Sequence, residues 1–295
     1  MKNRNRFART ALALCMVFLL AGPGVAALLT DDFSGASIDG AKWRLPPSSE
    51  GTGQMLQTGG RLEFTASVTL GGSGADSGLE PKAAGMQGAS WYVEVSTTLD
   101  AGSPPFPGMG PTDVVSTSLE IAPSGPDSWA GGEDRYDISI GFVDFANFGS
   151  SGLGYGIHQT SRTDGTDTTT LSFLGSTSPQ TVVLRIEYDA ISKKLKALYD
   201  SGSGLTAFGV ETDTATWNMG ASEAFRVLLY GYAGNMNDGP ATGTFVVGSG
   251  QCYFDDFVAS GDGIVIIPEP AFGAPLALLA LALVRAAARR GTRSR

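Results

Sequence analysis

The 295-residue chain combines 41 Gly and only 17% charged residues with 42% hydrophobic content, which excludes a disordered chain and a helix-rich one and suits many short strands joined by turns. Nine of the 20 Lys and Arg sit at the two extremes and all 29 Asp and Glu lie between Asp31 and Glu269, so residues 27–267 hold 28 acids against 11 bases, a net charge of −17. A body that acidic repels nucleic-acid phosphate and anionic lipid, which excludes nucleic-acid binding.

The chain opens on a basic stretch, Lys2, Arg4, Arg6 and Arg9, followed by the apolar run 11–21. That run is too short to span ~30 Å of hydrocarbon. Small residues at Gly24 and Ala26, or Val25 and Ala27, offer a cleavage site, so residues 1–27 read as a Sec-type signal peptide handled by the Sec translocon and signal peptidase. Leu14 is too bulky for Cys15 to be a lipoprotein cysteine. Cys252 is then the only cysteine left, no internal disulfide can form, and a buried, inert thiol is expected.

Residues 28–263 read as one all-β domain. Strand patterns recur at 61–68, 90–97, 136–143, 181–188, 195–199, 225–232 and 253–258, with no 3.6-residue apolar period between them. Gly/Ser/Pro-rich segments at 71–78 and 102–111 read as turns. No linker-like break or internal repeat divides the segment, so a single sandwich is expected.

The chain closes on Pro268-Glu269-Pro270, an apolar run from Ala271 to Val284, and a cluster of Arg285, Arg289, Arg290, Arg293 and Arg295. This reads as a short transmembrane helix whose cationic end is held in the cytoplasm, with the body outside. The order of the three parts resembles the PEP-CTERM sorting signal of Gram-negative bacteria, over residues 264–295. The resemblance implies an exosortase partner that recognises the motif and removes the helix. It also implies a route from an inner-membrane-anchored intermediate to the cell surface or the extracellular space.

A second resemblance covers the body. Thr30-Asp-Asp-Phe-Ser-Gly35, Ile38-Asp39, Lys42-Trp43 and Gly60-Arg-Leu-Glu-Phe64 are similar to the opening of concanavalin A-like (laminin-G/glucanase-type) jelly rolls. The segment 182–199 resembles a late hairpin of that fold, and Tyr253-Phe-Asp-Asp-Phe-Val258 resembles its closing strand, which lies near the first. The resemblance implies a concanavalin A-like jelly-roll sandwich.

The glucanase branch of that family carries Glu-x-Asp-x-x-Glu on one strand, because a retaining glycosidase needs two carboxyls ~5–5.5 Å apart. Glu50, Glu63, Glu80, Glu94, Glu120, Glu133 and Glu223 lack an Asp two residues on. Glu187-Tyr-Asp189 and Glu211-Thr-Asp213 are followed by Ser192 and Thr216 where the third carboxylate belongs, and Asp189 reads as a turn residue. No catalytic residue is therefore assigned. His158 is the single histidine, read as solvated or structural, and no nucleophile elbow or phosphate loop is present. Asp164 and Asp167 read as a turn.

By the same resemblance a structural Ca²⁺ would join the first and last strands through Asp32, Gly35 and Asp255; no other cofactor is implied. Carbohydrate would be met by exposed aromatics, with Trp129, Trp217 and Tyr232 as candidates, while Trp43 and Trp91 read as core. The expectation is an exported, non-catalytic, glycan-associated surface or matrix protein, linked to extracellular polysaccharide or biofilm. The alternatives are a divergent secreted glycoside hydrolase or lyase, and a purely structural surface protein.

Overall fold

The computed structural model describes residues 27–267, apart from 45–50, 104, 125–133, 146–151, 176–178, 218, 221–222 and 238. Apart from Ala27 and residues 264–267, the signal-peptide and sorting-signal expectations, including the 271–284 helix, lie outside the described residues. Among the described residues no helix is long and apolar enough to cross a membrane.

The first strands are β1 (Ala27–Asp31), β2 (Trp43–Arg44), β3 (Gln54–Thr58), β4 (Arg61–Val68), β5 (Ala75–Pro81) and β6 (Ala83–Met86). Next come β7 (Trp91–Leu99), β8 (Asp113–Pro123), β9 (Arg135–Asp144), β10 (Leu153–Thr163), β11 (Thr166–Gly175) and β12 (Gln180–Asp189). The last are β13 (Lys194–Asp200), β14 (Thr206–Asp213), β15 (Ala224–Asn235), β16 (Phe245–Val247), β17 (Cys252–Gly261) and β18 (Ile264–Ile266). The sandwich therefore runs three residues past the expected boundary at 263.

Two antiparallel sheets form. The first has the order β14-β13-β12-β7-β17-β4-β16, with β1 on β17 and β3 on β4. The second has the order β11-β10-β9-β8-β15-β5-β2, with β6 bridging β15 and β18. β7 and β12 bury every second residue over most of their length, as a half-buried antiparallel strand must. Val93 and Val95 of β7, Leu184 and Ile186 of β12, and Phe254 of β17 meet Leu119 and Ile121 of β8, Ile138 and Ile140 of β9, and Val227 and Leu229 of β15 in one core. The seven strands expected from the sequence are all present, each within three residues of its expected ends.

The opening and closing segments do lie together: β1 pairs with β17 from Ala27↔Gly261 to Asp31↔Phe257. Trp43 locks them. Its Nε1 donates to Asp31 Oδ2 at 2.7 Å, and its ring sits 5.3 Å from Phe33 and 4.9 Å from Phe257. The sheets are joined through polar groups as well. Thr97 Oγ1 and Thr117 Oγ1 bond at 2.8 Å, and the Tyr155 and Tyr136 hydroxyls each accept a backbone N–H, from Ala101 and Ala197, at 2.9 Å.

One turn expectation is corrected. Residues 71–78 are a turn only to 74, because Ala75, Ser77 and Leu79 alternate inward as the start of β5. Small residues are needed there for close packing: a Cβ on Gly78 would stand 2.8 Å from Leu228 Cδ1. Gly231 is a sharper case on the core face of β15, where an added Cβ would meet the Phe64 ring at 2.3 Å.

Gly231→Ala is expected to lose about 1–3 kcal/mol through overpacking. Adding Phe64→Leu should recover part of that loss, so that the double variant is more stable than the sum of the single losses, as read from urea denaturation of the four chains.

Candidate functional site

The inward residues of β8, β9, β10 and β15 build the core, so their alternates form the outer face of the second sheet. That face carries a groove of about 450 Å³. Strand register places its side chains in rows. One row runs Tyr232, Ser116, Gly141, Gly156; the next runs Tyr230, Ser118, Ser139, His158; the third runs Leu228, Glu120, Asp137, Thr160. The floor is thus serine and glycine, flanked by two tyrosines on one side and His158 and Leu171 on the other. Both tyrosine rings are fixed through their hydroxyls, Tyr232 donating to Asn235 O at 2.8 Å and Tyr230 bonding Asp76.

The third row is the chemically unusual one. Glu120 and Asp137 stand directly opposite each other on β8 and β9, and like charges so placed are destabilising. Glu120 is 8% exposed, and the Asp137 side chain is 13% exposed. Burial raises the Glu120 carboxyl above its ordinary range against the opposing pull of Arg135, Arg162 and Arg226. Burial, then Glu120 itself, pushes Asp137 up to about 8. The pair therefore holds a proton at neutral pH. Burial and then Arg135 lower His158, keeping the imidazole neutral.

Another hollow, about 530 Å³ on the outer face of the first sheet, is bordered by Tyr92, Glu187, Lys194 and Glu211. Lys194 and Glu211 form a solvated ion pair at 3.2 Å. No buried charge faces it, and the groove is the better-built site.

Of the aromatic candidates, Tyr232 lines the groove. Trp217 does not meet a ligand face: it follows a 3₁₀ turn at Thr214–Thr216, is 4% exposed, and packs edge-on against Phe225 at 5.9 Å. An aromatic beside a polar loop was drawn inward because Phe225 opens an apolar slot under that turn. Trp129 lies outside the described residues, as do Pro268, Glu269, Pro270, Arg285, Arg289 and Arg290. Trp43 and Trp91 are core residues, as expected. Cys252 is buried, and that burial pushes its thiol well above the usual range.

The calcium expectation meets a poor fit. Asp32 is spent on its own turn, accepting Ser34 N at 3.1 Å and Ser34 Oγ at 2.8 Å. The Gly35 carbonyl accepts from Gln57 Nε2 at 3.0 Å, and the same amide donates to Phe33 O at 2.9 Å. Asp255 does feel Asp32: partial burial raises its carboxyl, and Asp256 and Asp32 add to the rise. An amide N–H thus faces the carbonyls that a hard cation would need. Among the described residues no group of three acidic, His or Cys side chains is placed to hold a metal.

The remaining carboxylates serve local structure. Asp189 accepts from Ile191 N and Ser192 Oγ in its turn, and Asp213 caps the 3₁₀ turn. Asp164 and Gly165 form the tight β10–β11 hairpin with φ of 50° and 74°. From the sequence, Glu120 is set aside because it lacks an Asp two residues on, Asp137 and Tyr230 are not singled out, and His158 reads as solvated or structural. The single available signal was the alternation in Ser116-Thr-Ser-Leu-Glu120, which hides a polar outer face behind an apolar inner one.

No family model matches the sequence, and no curated protein does. Among solved structures, the catalytic domain of an endo-1,3-β-glucanase (laminarinase) from Thermotoga petrophila aligns over 80% of this chain and 98% of its own, at 13% identity and a TM-score of 0.50. The lectin UEA-II in complex with galactose aligns over 80% of this chain and 98% of its own, at 12% identity and a TM-score of 0.49. Peanut lectin with a nine-residue peptide aligns over 81% and 99%, at 12% identity and a TM-score of 0.47. The laminarinase likeness shows the jelly-roll fold of the body.

A carboxyl that ionises later in the folded chain than in the unfolded one gives stability that is full below the ordinary carboxylate range and is lost as pH rises through its folded value. Asp137→Asn removes that loss. The variant should melt close to the parent near pH 4, progressively above it as pH rises to about 8, the folded value at Asp137, and by a constant margin beyond; melting curves of both chains across that span read the difference.

Proposed function

We propose that this chain is an exported surface or extracellular-matrix protein whose jelly-roll body binds glycan without cleaving it, in the groove on the second sheet. The observation that carries the reading is the groove's make-up. A serine-bearing floor beside fixed aromatic rings suits a sugar, which offers hydroxyls on its rim and C–H bonds on its face. The fold shared with a laminarinase domain supports it, since that protein acts on a glycan. The paired terminal segments supply the rest of the proposal: export through the Sec translocon and signal peptidase, then exosortase processing at Pro268-Glu269-Pro270. Delivery to the surface in association with extracellular polysaccharide or biofilm would follow.

A second reading, a divergent glycoside hydrolase or lyase, is favoured by the Glu120–Asp137 pair. The two acids face each other across β8 and β9 in one groove, as the paired carboxyls of a glycosidase flank one bond, and Asp137 holds a proton at neutral pH.

Thermal unfolding of the full chain against laminarin, alginate and bacterial exopolysaccharide separates these readings. A melting temperature that rises with glycan concentration, is lost in Ser118→Trp, and is accompanied by no new reducing ends supports the binding module. New reducing ends that vanish in Glu120→Gln establish the hydrolase. No shift with any glycan overturns both. In a host carrying exosortase, replacing Pro268-Glu269-Pro270 with alanines should leave the chain in the membrane fraction; release to the surface equal to the parent's overturns the sorting proposal.

A further inference from the structure

The groove holds a charge problem that the protein does not solve by itself. Glu120 is more than nine-tenths buried and lines the groove, yet among the described residues it accepts no hydrogen bond, and no cation comes within ion-pair distance of it. Buried carboxylates in folded proteins are otherwise paired and hydrogen-bonded. Asp137 has the Thr160 backbone amide and an Arg135 Nε at 3.9 Å, at the outer limit of an ion pair.

The nearby cations are committed to other acids. Arg162 makes a two-pronged contact to Asp167 at 2.7 and 2.8 Å. Arg226 does the same to Glu80 at 3.1 and 3.2 Å. Glu80 is shared by Arg226 and Arg44, and neither guanidinium reaches Glu120; Glu120, Asp137 and Arg135, taken together, leave one surplus negative charge when both acids ionise. In the free groove a proton makes good the difference.

We infer that the groove is built for a saccharide bearing a free amine, a de-N-acetylated hexosamine unit, whose ammonium docks between Glu120 and Asp137. This rests on the glycan-binding reading and names its ligand class. An ammonium supplies the missing unit of positive charge and three N–H donors, which the unpartnered Glu120 oxygens and Asp137 can accept as charge-assisted bonds. A neutral hexose brings hydroxyls without charge, an N-acetyl group replaces the charge with bulk, and a uronate adds a like charge beside two carboxyls. A neutral amine takes up the proton that the carboxyl pair holds, whereas an ammonium displaces that proton to solvent, so no co-reactant is needed. The flanking tyrosines and the serine floor then receive the sugar ring. A separate observation points the same way: the net charge of −17 on residues 27–267 draws a polycationic polysaccharide toward the body and repels a polyanionic one.

The test is calorimetric titration of the full chain with short oligomers of glucosamine, N-acetylglucosamine, glucose and glucuronate, in β-1,4 and β-1,6 linkage. The free-amine oligomer should bind about tenfold or more tightly than its N-acetylated counterpart in at least one linkage. That preference should collapse in Glu120→Gln while affinity for the neutral oligomers holds. Asp137→Asn gives the same readout in a variant that relieves, rather than adds to, the cost of folding. Binding of neutral or acetylated oligomers with no advantage for the amine overturns this inference and leaves the glycan-binding reading standing. An amine preference that survives both substitutions also overturns it, because net charge alone would then be the cause. Absence of binding by every oligomer overturns the inference and the glycan reading together.

Discussion

One strand pairing ties the core to the groove. The β8–β9 register sets Thr117 against Ile140 and Leu119 against Ile138 on the inner face, and Ser118 against Ser139 and Glu120 against Asp137 on the outer face. Because side chains alternate with a period of two, a slip of one residue would turn the apolar set to water and bury the polar set. The apolar side chains inside therefore hold the outer row in place. Two acids face each other on the surface because the core beneath permits no other arrangement of those strands.

That dependence explains how an unfavourable contact persists. An opposed, desolvated acid pair works against folding, and it is tolerated because many buried side chains from both sheets fix the backbone under it. The surrounding arginines relieve it only at a distance, because Arg226 and Arg162 make their hydrogen bonds to Glu80 and Asp167. Perturbed titration in a groove, with specific charged neighbours, marks a candidate functional site.

The sandwich was legible where a strand buries large β-branched or aromatic residues on one face, as β12 does with Val182, Leu184, Ile186 and Tyr188. It was hard to read in β10 and β11, where Gly154, Gly156 and a run of threonines dilute the alternation; those small residues are the ones the groove and the close packing of Phe145 and Phe173 require. The candidate site was largely invisible for a different reason. Testing carboxylates at fixed spacing along one strand finds a motif that one strand carries, whereas Glu120 and Asp137 meet across two strands, and register between strands is not written in local pattern. Tyr232 was recognised from its place near a loop. Trp217 was misplaced because turn residues around it say nothing of the apolar slot offered by Phe225.

The end of the sandwich has a mechanical meaning. The last strand, β18, pairs only through Ile264, Val265 and Ile266 to β6, and Asp262 and Gly263 separate it from β17, which is gripped by β1, β4 and β7. Any pull arriving along the chain from beyond Ile267 thus reaches a three-residue zipper first and a strand clasped by three neighbours second. Since β6 pairs in turn with β15, the sheet that carries the groove stands behind that zipper, which would part before the groove strands are loaded.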